Sequence, residues 1–146
     1  MEKQVIQSVG FRNIVTEGKV TGFQLKIRLP YYRGVYLSQV KVGSLVVDGQ
    51  EITKDHILWR LGGTDFTWQE MLTARQVHWH PLELVTLVVD LPGGLKQGFH
   101  DLKYSYCCTH SYMPPALEDL MDPARPETVY LTEFGHTHNT RRLLIV

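Results

Sequence analysis

Only two cysteines occur in 146 residues, and they are adjacent, Cys107-Cys108. Neighbours on a strand point to opposite faces, so this pair makes neither a disulfide framework nor a CxxC metal clip. A reducing cytoplasm is therefore the expected setting. Neither sign of charge is in excess, with Lys+Arg and Asp+Glu at 15 each. That balance does not mark a nucleic-acid or anionic-membrane binder. Long apolar runs are missing as well: the longest, Leu84 to Val89, is interrupted by Thr86 and is far too short to cross a bilayer. Met1-Glu2-Lys3-Gln4 leads into a segment with no apolar signal-peptide core. No segment repeats or is low-complexity, no Gly-x-Ser-x-Gly elbow occurs, and Gly62-Gly63 and Gly93-Gly94 read as turns rather than phosphate loops. The length suits one domain, 1–146, with one sizeable core.

What is present is strand signal. Phe23, Leu25, Ile27 and Leu29 alternate with Gln24, Lys26 and Arg28, the period of a strand with one buried and one wet face. Val5 to Val15 reads as an entry strand bent at Gly10, and Glu17-Gly18-Lys19 as a turn. Val40 to Val47 is Val-rich, with Asp48-Gly49 as its hairpin turn into Gln50-Glu51-Ile52. Ile57 to Arg60 is a short strand. Leu82 to Leu91, apolar on both faces, fits a central strand. In Phe99 to Thr109, His100, Leu102, Tyr104, Tyr106, Cys108 and His110 share a face. Thr67 and Glu70 form a capping-box pattern over a short helix, Trp68 to Thr73. Ser111 to Pro126 is a proline-containing loop with one turn of helix at Ala116 to Met121, and Thr128 to Phe134 and Arg142 to Val146 close the domain. The pattern implies an all-β antiparallel sandwich, jelly-roll-like, with at most one or two short helices.

Three groups of residues could carry function. The first is Arg28-Leu29-Pro30-Tyr31-Tyr32-Arg33-Gly34-Val35-Tyr36-Leu37-Ser38. Phenols and a guanidinium are poor core material without polar partners, and they supply much of the contact energy at recognition surfaces. Arg33-Gly34 also permits a sharp turn, since glycine accepts positive φ. A recognition loop and a cap on the end of the sandwich fit these residues equally. The second group is His78-Trp79-His80 and His136-Thr137-His138. On neighbouring strands such pairs could hold a metal through His78, His80, His136 and His138, as in a small jelly-roll metalloenzyme. Pro81 and the short His80-to-Glu83 gap argue against it, and surface histidines are the plainer reading. The third group is Trp59, Trp68 and Trp79, either a sugar-stacking platform in a stand-alone glycoside-binding module or plugs for the core. Cys107 and Cys108 sit mid-strand with nothing to lower a thiol pKa, so a nucleophile is not supported.

Several of these segments, taken together, resemble a known family. Val20-Thr21-Gly22-Phe23, the Leu-Pro-Tyr-Tyr-Arg-Gly run, Val47-Asp48-Gly49, Asp65-Phe66-Thr67 with Glu70-Met71, Pro92-Gly93-Gly94-Leu95 with Gly98-Phe99-His100, and Ser111-Tyr112-Met113-Pro114 are similar to the small β subunit of bacterial C-glycoside deglycosidases. The likeness spans Phe11 to Pro114. It implies a β-sandwich subunit that pairs with a larger TIM-barrel-like α subunit, in an enzyme that cleaves the C–C bond of 3-oxo-C-glucosides of flavonoids and other aromatics. It further implies a divalent metal, typically Mn2+, and a histidine base in the α subunit, with no cofactor and no catalytic residue on this chain. Tyr31, Tyr32, Arg33, Gly34, Tyr36, Tyr112, Met113 and Pro114 are then the expected partner interface. Beyond Pro114, the insertion 115–127 and the histidine pair after it read as departures from the family pattern, as does His78-Trp79-His80-Pro81.

Overall fold

A computed structural model describes residues 4–29, 33–108 and 135–146, of which 135–138 in backbone only. The expectations for Tyr31, Tyr32, Tyr112, Met113 and Pro114, for the helical turn at 116–121 and for the strand at 128–134 lie outside the described residues.

Eleven strands and one α-helix make up the described fold: β1 (Arg12–Thr16), β2 (Lys19–Ile27), β3 (Val35–Tyr36), β4 (Val40–Val47), β5 (Gln50–Ile52), β6 (Ile57–Leu61), β7 (Thr64–Phe66), α1 (Trp68–Leu72), β8 (His78–Trp79), β9 (Val85–Asp90), β10 (Gly98–Cys108) and β11 (Gly135–Ile145). Every described strand pairing is antiparallel. One sheet runs β1-β2-β9-β6-β7, the facing sheet β11-β10-β4-β5, and β3 and β8 form a two-stranded ribbon. The described residues build the expected all-β sandwich, with one short α-helix among them, within the expected one or two.

Local chemistry accounts for the turns. Asp48 and Gly49 have φ of 50° and 83°, the paired positive values of the tight hairpin turn that suits strand twist. At α1, Glu70 N–H donates to Thr67 Oγ1 at 3.2 Å and Thr67 N–H donates to Glu70 Oε1 at 3.0 Å, closing the expected capping box.

The strand boundaries differ from expectation in places where tertiary contacts outweigh pattern. Gln24 lies on the side of β2 expected to be wet, yet it is buried and donates to the Gly10 carbonyl at 3.1 Å. Residues 4–11 cause this, since Gln7 N–H reaches the Lys26 carbonyl and Arg28 N–H reaches that of Val5. β9 starts at Val85, not at Leu82. It is the central strand of its sheet, which explains its apolar character, whereas Leu82 and Leu84 are exposed in the turn before it. The ribbon β3–β8 and the edge strand β7 are too short for alternation to show, and β11 begins well before the expected Arg142.

Facing side chains of the two sheets form the core. Its centre is a cluster of four aromatics, all essentially inaccessible: Trp59 of β6, Trp79 of β8, and Tyr104 and Tyr106 of β10. The Trp59 ring lies edge-on to Trp79 at 5.4 Å and to Tyr106 at 5.7 Å between centroids, a favoured geometry for ring quadrupoles. Each polar tip is satisfied. Trp59 Nε1–H donates to Tyr104 Oη at 3.1 Å, Trp79 Nε1–H to the Glu83 carbonyl at 2.8 Å, and Tyr106 Oη–H to the Arg28 carbonyl at 3.0 Å. Among the described residues no buried side-chain nitrogen or oxygen lacks a hydrogen-bond partner.

Replacing Tyr104 by Phe orphans the Trp59 indole N–H, at a cost of about 1–3 kcal/mol and a Tm lowered by roughly 3–10 °C. In the Trp59→Phe background, where no N–H remains to be orphaned, Tyr104→Phe costs less. Thermal unfolding of the four-member cycle checks this: additive losses would show that the hydrogen bond does not couple the two rings.

Candidate functional site

The tyrosine segment emerges where the aromatic cluster anchors it. Tyr106 holds the Arg28 carbonyl, and Leu29, the last residue described before 30–32, is buried. The chain is described again at Arg33, which is exposed. Tyr36 then pairs with His78 and Val35 with Trp79, while Leu37 N–H donates to the Val77 carbonyl. After a 3-10 turn at Leu37–Gln39, Val40 pairs with Cys108, the last described residue of β10, and Gly135 opposes Cys107. The same end of the sandwich therefore carries Arg33 to Tyr36, the 77–84 segment, and both flanks of 109–134.

Gly34 has a different role from the expected one. Its φ is not in the left-handed region; what it supplies is space. A Cβ there would stand 2.7 Å from the Trp79 carbonyl oxygen, and closer still to the imidazole of His78. His78 also meets the Tyr36 ring edge-on, with centroids 5.2 Å apart. The 78–84 turn beyond is fixed: Leu82 N–H donates to His80 Nδ1 at 3.2 Å and Glu83 N–H to the His80 carbonyl at 2.9 Å. This ordered turn holds Leu82 in solvent at 85% exposure, with Leu84 partly exposed beside it. Both leucines escape a reading of periodicity, because in sequence they merge with the apolar run of β9.

The histidine pairs are not on neighbouring strands, since β8 pairs with β3 and β11 with β10. His80 lies outside β8, and its Nδ1 is engaged by Leu82. The rings of His78 and His80 are 6.4 Å apart between centroids, and the side chains of His136 and His138 lie outside the described residues. Among the described residues no three His, Cys, Asp or Glu side chains come together as a metal site. The tryptophan platform does not form either, because Trp59 and Trp79 are core. Trp68 is half-buried, donating to Asp55 at 2.8 Å beneath the Lys54 ammonium. Burial pushes the Cys108 thiol and the Tyr104 phenol far up, and pushes Tyr106 well up too, with the help of neighbouring Cys108 and Tyr104, so none ionises near neutrality.

A groove of about 780 Å3 lies elsewhere, on the outer face of the five-stranded sheet. Its polar side chains are largely committed: Arg60 binds Asp65 through two nitrogens, Asn13 exchanges two hydrogen bonds with Leu95, and Gln24 holds Gly10. Among the described residues no helix is long and apolar enough to cross a membrane.

The described residues thus define an all-β sandwich with an ordered aromatic and apolar end and no assembled catalytic group. Comparison with known proteins gives this class a family. The family model for "C-glycoside deglycosidase beta subunit" matches residues 1–112. A protein of that description from Eubacterium cellulosolvens is 57% identical over 147 aligned positions, covering all of both chains. Proteins of the same description from Arthrobacter globiformis and Microbacterium trichothecenolyticum are 28% and 30% identical over 79 and 67 residues, or 54% and 46% of this chain and 60% and 51% of theirs. The chain belongs to the C-glycoside deglycosidase beta subunit family. The Eubacterium relative aligns across the whole chain, the stretch after Pro114 included.

Gly34→Ala forces β8 away from β3, because the Trp79 carbonyl cannot swing aside as a side chain can. The expected result is a loss of about 1–3 kcal/mol in chemical denaturation. Adding His78→Ala restores only part of it; full restoration would mean that the imidazole alone sets the need for glycine.

Proposed function

We propose that this chain is the accessory, non-catalytic β subunit of a heteromeric C-glycoside deglycosidase. The observation that carries this reading is the full-length, 57% identity to a protein described as such a β subunit. The substrate is a 3-oxo-C-glucoside of a flavonoid or related aromatic. A base removes the C2 proton, which the C3 ketone acidifies; the C1–C2 double bond forms as the bond from C1 to the aromatic carbon breaks, and that carbon takes up a proton. The base and a divalent metal, Mn2+, that would polarise the C3 carbonyl belong to a larger TIM-barrel-like α subunit. Assigning them there suits this chain, whose described residues gather no three metal-binding side chains and whose buried thiol stays protonated.

The docking surface in this reading is the aromatic end of the sandwich. Tyr31, Tyr32, Arg33, Gly34, Tyr36, Tyr112, Met113 and Pro114 form it, joined by Leu82 and Leu84. Exposed aromatic, arginine and leucine side chains on an ordered base lose little entropy on docking. Among the described residues, the alternative of an independent glycoside-binding module loses its tryptophan platform, because Trp59 and Trp79 are buried.

Co-expression with the gene of the larger subunit tests the assignment. Aglycone release, followed by chromatography, is expected from the complex and not from this chain alone. Full-rate cleavage by the isolated chain would overturn it. Arg33→Ala and Leu82→Asp are each expected to weaken association about 10-fold or more, read by titration calorimetry with the larger subunit.

A further inference from the structure

At the far end of the sandwich from the tyrosine segment, the imidazole of His100 is held between two acceptors. Its Nδ1 lies 2.7 Å from Asp48 Oδ2, and its Nε2 lies 2.7 Å from the Lys96 carbonyl oxygen. The ring is buried, and the edge of Phe11 covers it at 6.4 Å between centroids. A neutral imidazole carries one N–H and one lone pair, so it can satisfy only one of these acceptors. With both at short hydrogen-bond distance, two N–H groups are required.

The two partners come from different parts of the fold. Asp48 is in the β4–β5 turn of the four-stranded sheet. Lys96 is in the loop that leaves β9 of the five-stranded sheet, a loop also pinned by the Asn13 and Leu95 hydrogen bonds at 2.8 and 2.9 Å. The second oxygen of Asp48 accepts Asp101 N–H at 2.8 Å. The charged groups around the ring are Asp48 from the turn, Asp101 from β10 itself and Arg142 from β11, the last lying 3.3 Å from Asp101.

We infer that His100 is a protonated strap joining the two sheets, and that its deprotonation releases the loop at Lys96. The neutral ring keeps its proton on Nδ1, where a lone pair would face a carboxylate; Nε2 then turns a lone pair toward the Lys96 carbonyl, and that contact opens. The groups around the ring agree. Burial works against the charged imidazole, but the Lys96 carbonyl and the Asp48 and Asp101 carboxylates outweigh it and raise the His100 pKa. Asp48 is lowered, first by the Asp101 N–H and then by His100.

The sign of the pH effect follows from these two directions. A raised histidine pKa stabilises the fold fully below the unfolded value, about 6.5, and that stabilisation is lost as pH rises through the folded pKa. A lowered Asp48 pKa stabilises above the unfolded carboxylate value, about 3.9, and that is lost as pH falls. The strap is tightest between these limits and loosens on the alkaline side.

Two measurements test it. In a carbon-detected NMR titration of the whole chain, the His100 ring is expected to titrate above the ordinary histidine value, and Asp48→Asn is expected to bring its pKa down, because only the Lys96 carbonyl and Asp101 then oppose burial. From about pH 6 to about pH 9, the wild-type chain is expected to lose a few degrees of Tm that His100→Gln does not lose. Protection factors for amide exchange at Leu95 to Gln97, which remove the intrinsic base-catalysed rise, should fall over the same range in the wild type only. A His100 pKa at or below about 6.5, no response to Asp48→Asn, or parallel Tm profiles would overturn the strap. The NMR titration of the wild type decides even if a variant fails to fold. None of these readouts requires the larger subunit, so the outcome is independent of the proposed enzyme.

Discussion

The hydrogen bonds at the tips of four buried aromatic rings are the constraint on which the proposed docking end depends. Trp59, Trp79, Tyr104 and Tyr106 bring large apolar surface into the core, but each also brings a polar atom that would cost free energy if left dry. Satisfying those atoms fixes where other elements must lie. The Tyr106 hydroxyl fixes Arg28 just before the tyrosine segment, the Trp79 indole fixes Glu83 in the leucine-bearing turn, and the Trp59–Tyr104 bond joins the two sheets. The surface at this end is therefore ordered from beneath, by atoms that never touch solvent.

The two ends of the sandwich are held by different physics. At one, burial and ring geometry dominate, and the ionisable groups of the core are kept neutral by desolvation. At the other, a charge is retained in a covered position because two acceptors demand it. Apolar anchoring is insensitive to pH and suits a surface that must stay constant. An ionic tie responds to the medium, and here it lies well away from that surface.

The architecture was legible wherever one residue's chemistry decides the local backbone. The apolar face of β2, the Asp48-Gly49 hairpin and the Thr67–Glu70 capping box each depend on neighbours within a few positions, and each appears as expected. What could not be read are contacts between distant segments. Gln24 looks wet until residues 4–11 cover it, and Gly34 looks like a turn residue until His78 and the Trp79 carbonyl come to lie over it. The histidine pairs looked like neighbours because sequence does not reveal that β8 pairs with β3. Of the proposed docking surface, the aromatic segment was visible from composition. The two exposed leucines were not, since only the three-dimensional turn separates them from the buried strand that follows.

The sheet margins carry one more consequence. β5 and β7 are only three residues long, and β1 is distorted by a register shift between Ile14 and Val15. Strands so brief or bent offer few consecutive backbone groups in line, and another molecule cannot easily extend the sheet there. β11 is the long margin, eleven residues, with Arg141 and Arg142 at successive positions on opposite faces. β1, β5 and β7 thus give a second copy of the chain little backbone to pair with, and any such pairing falls to β11.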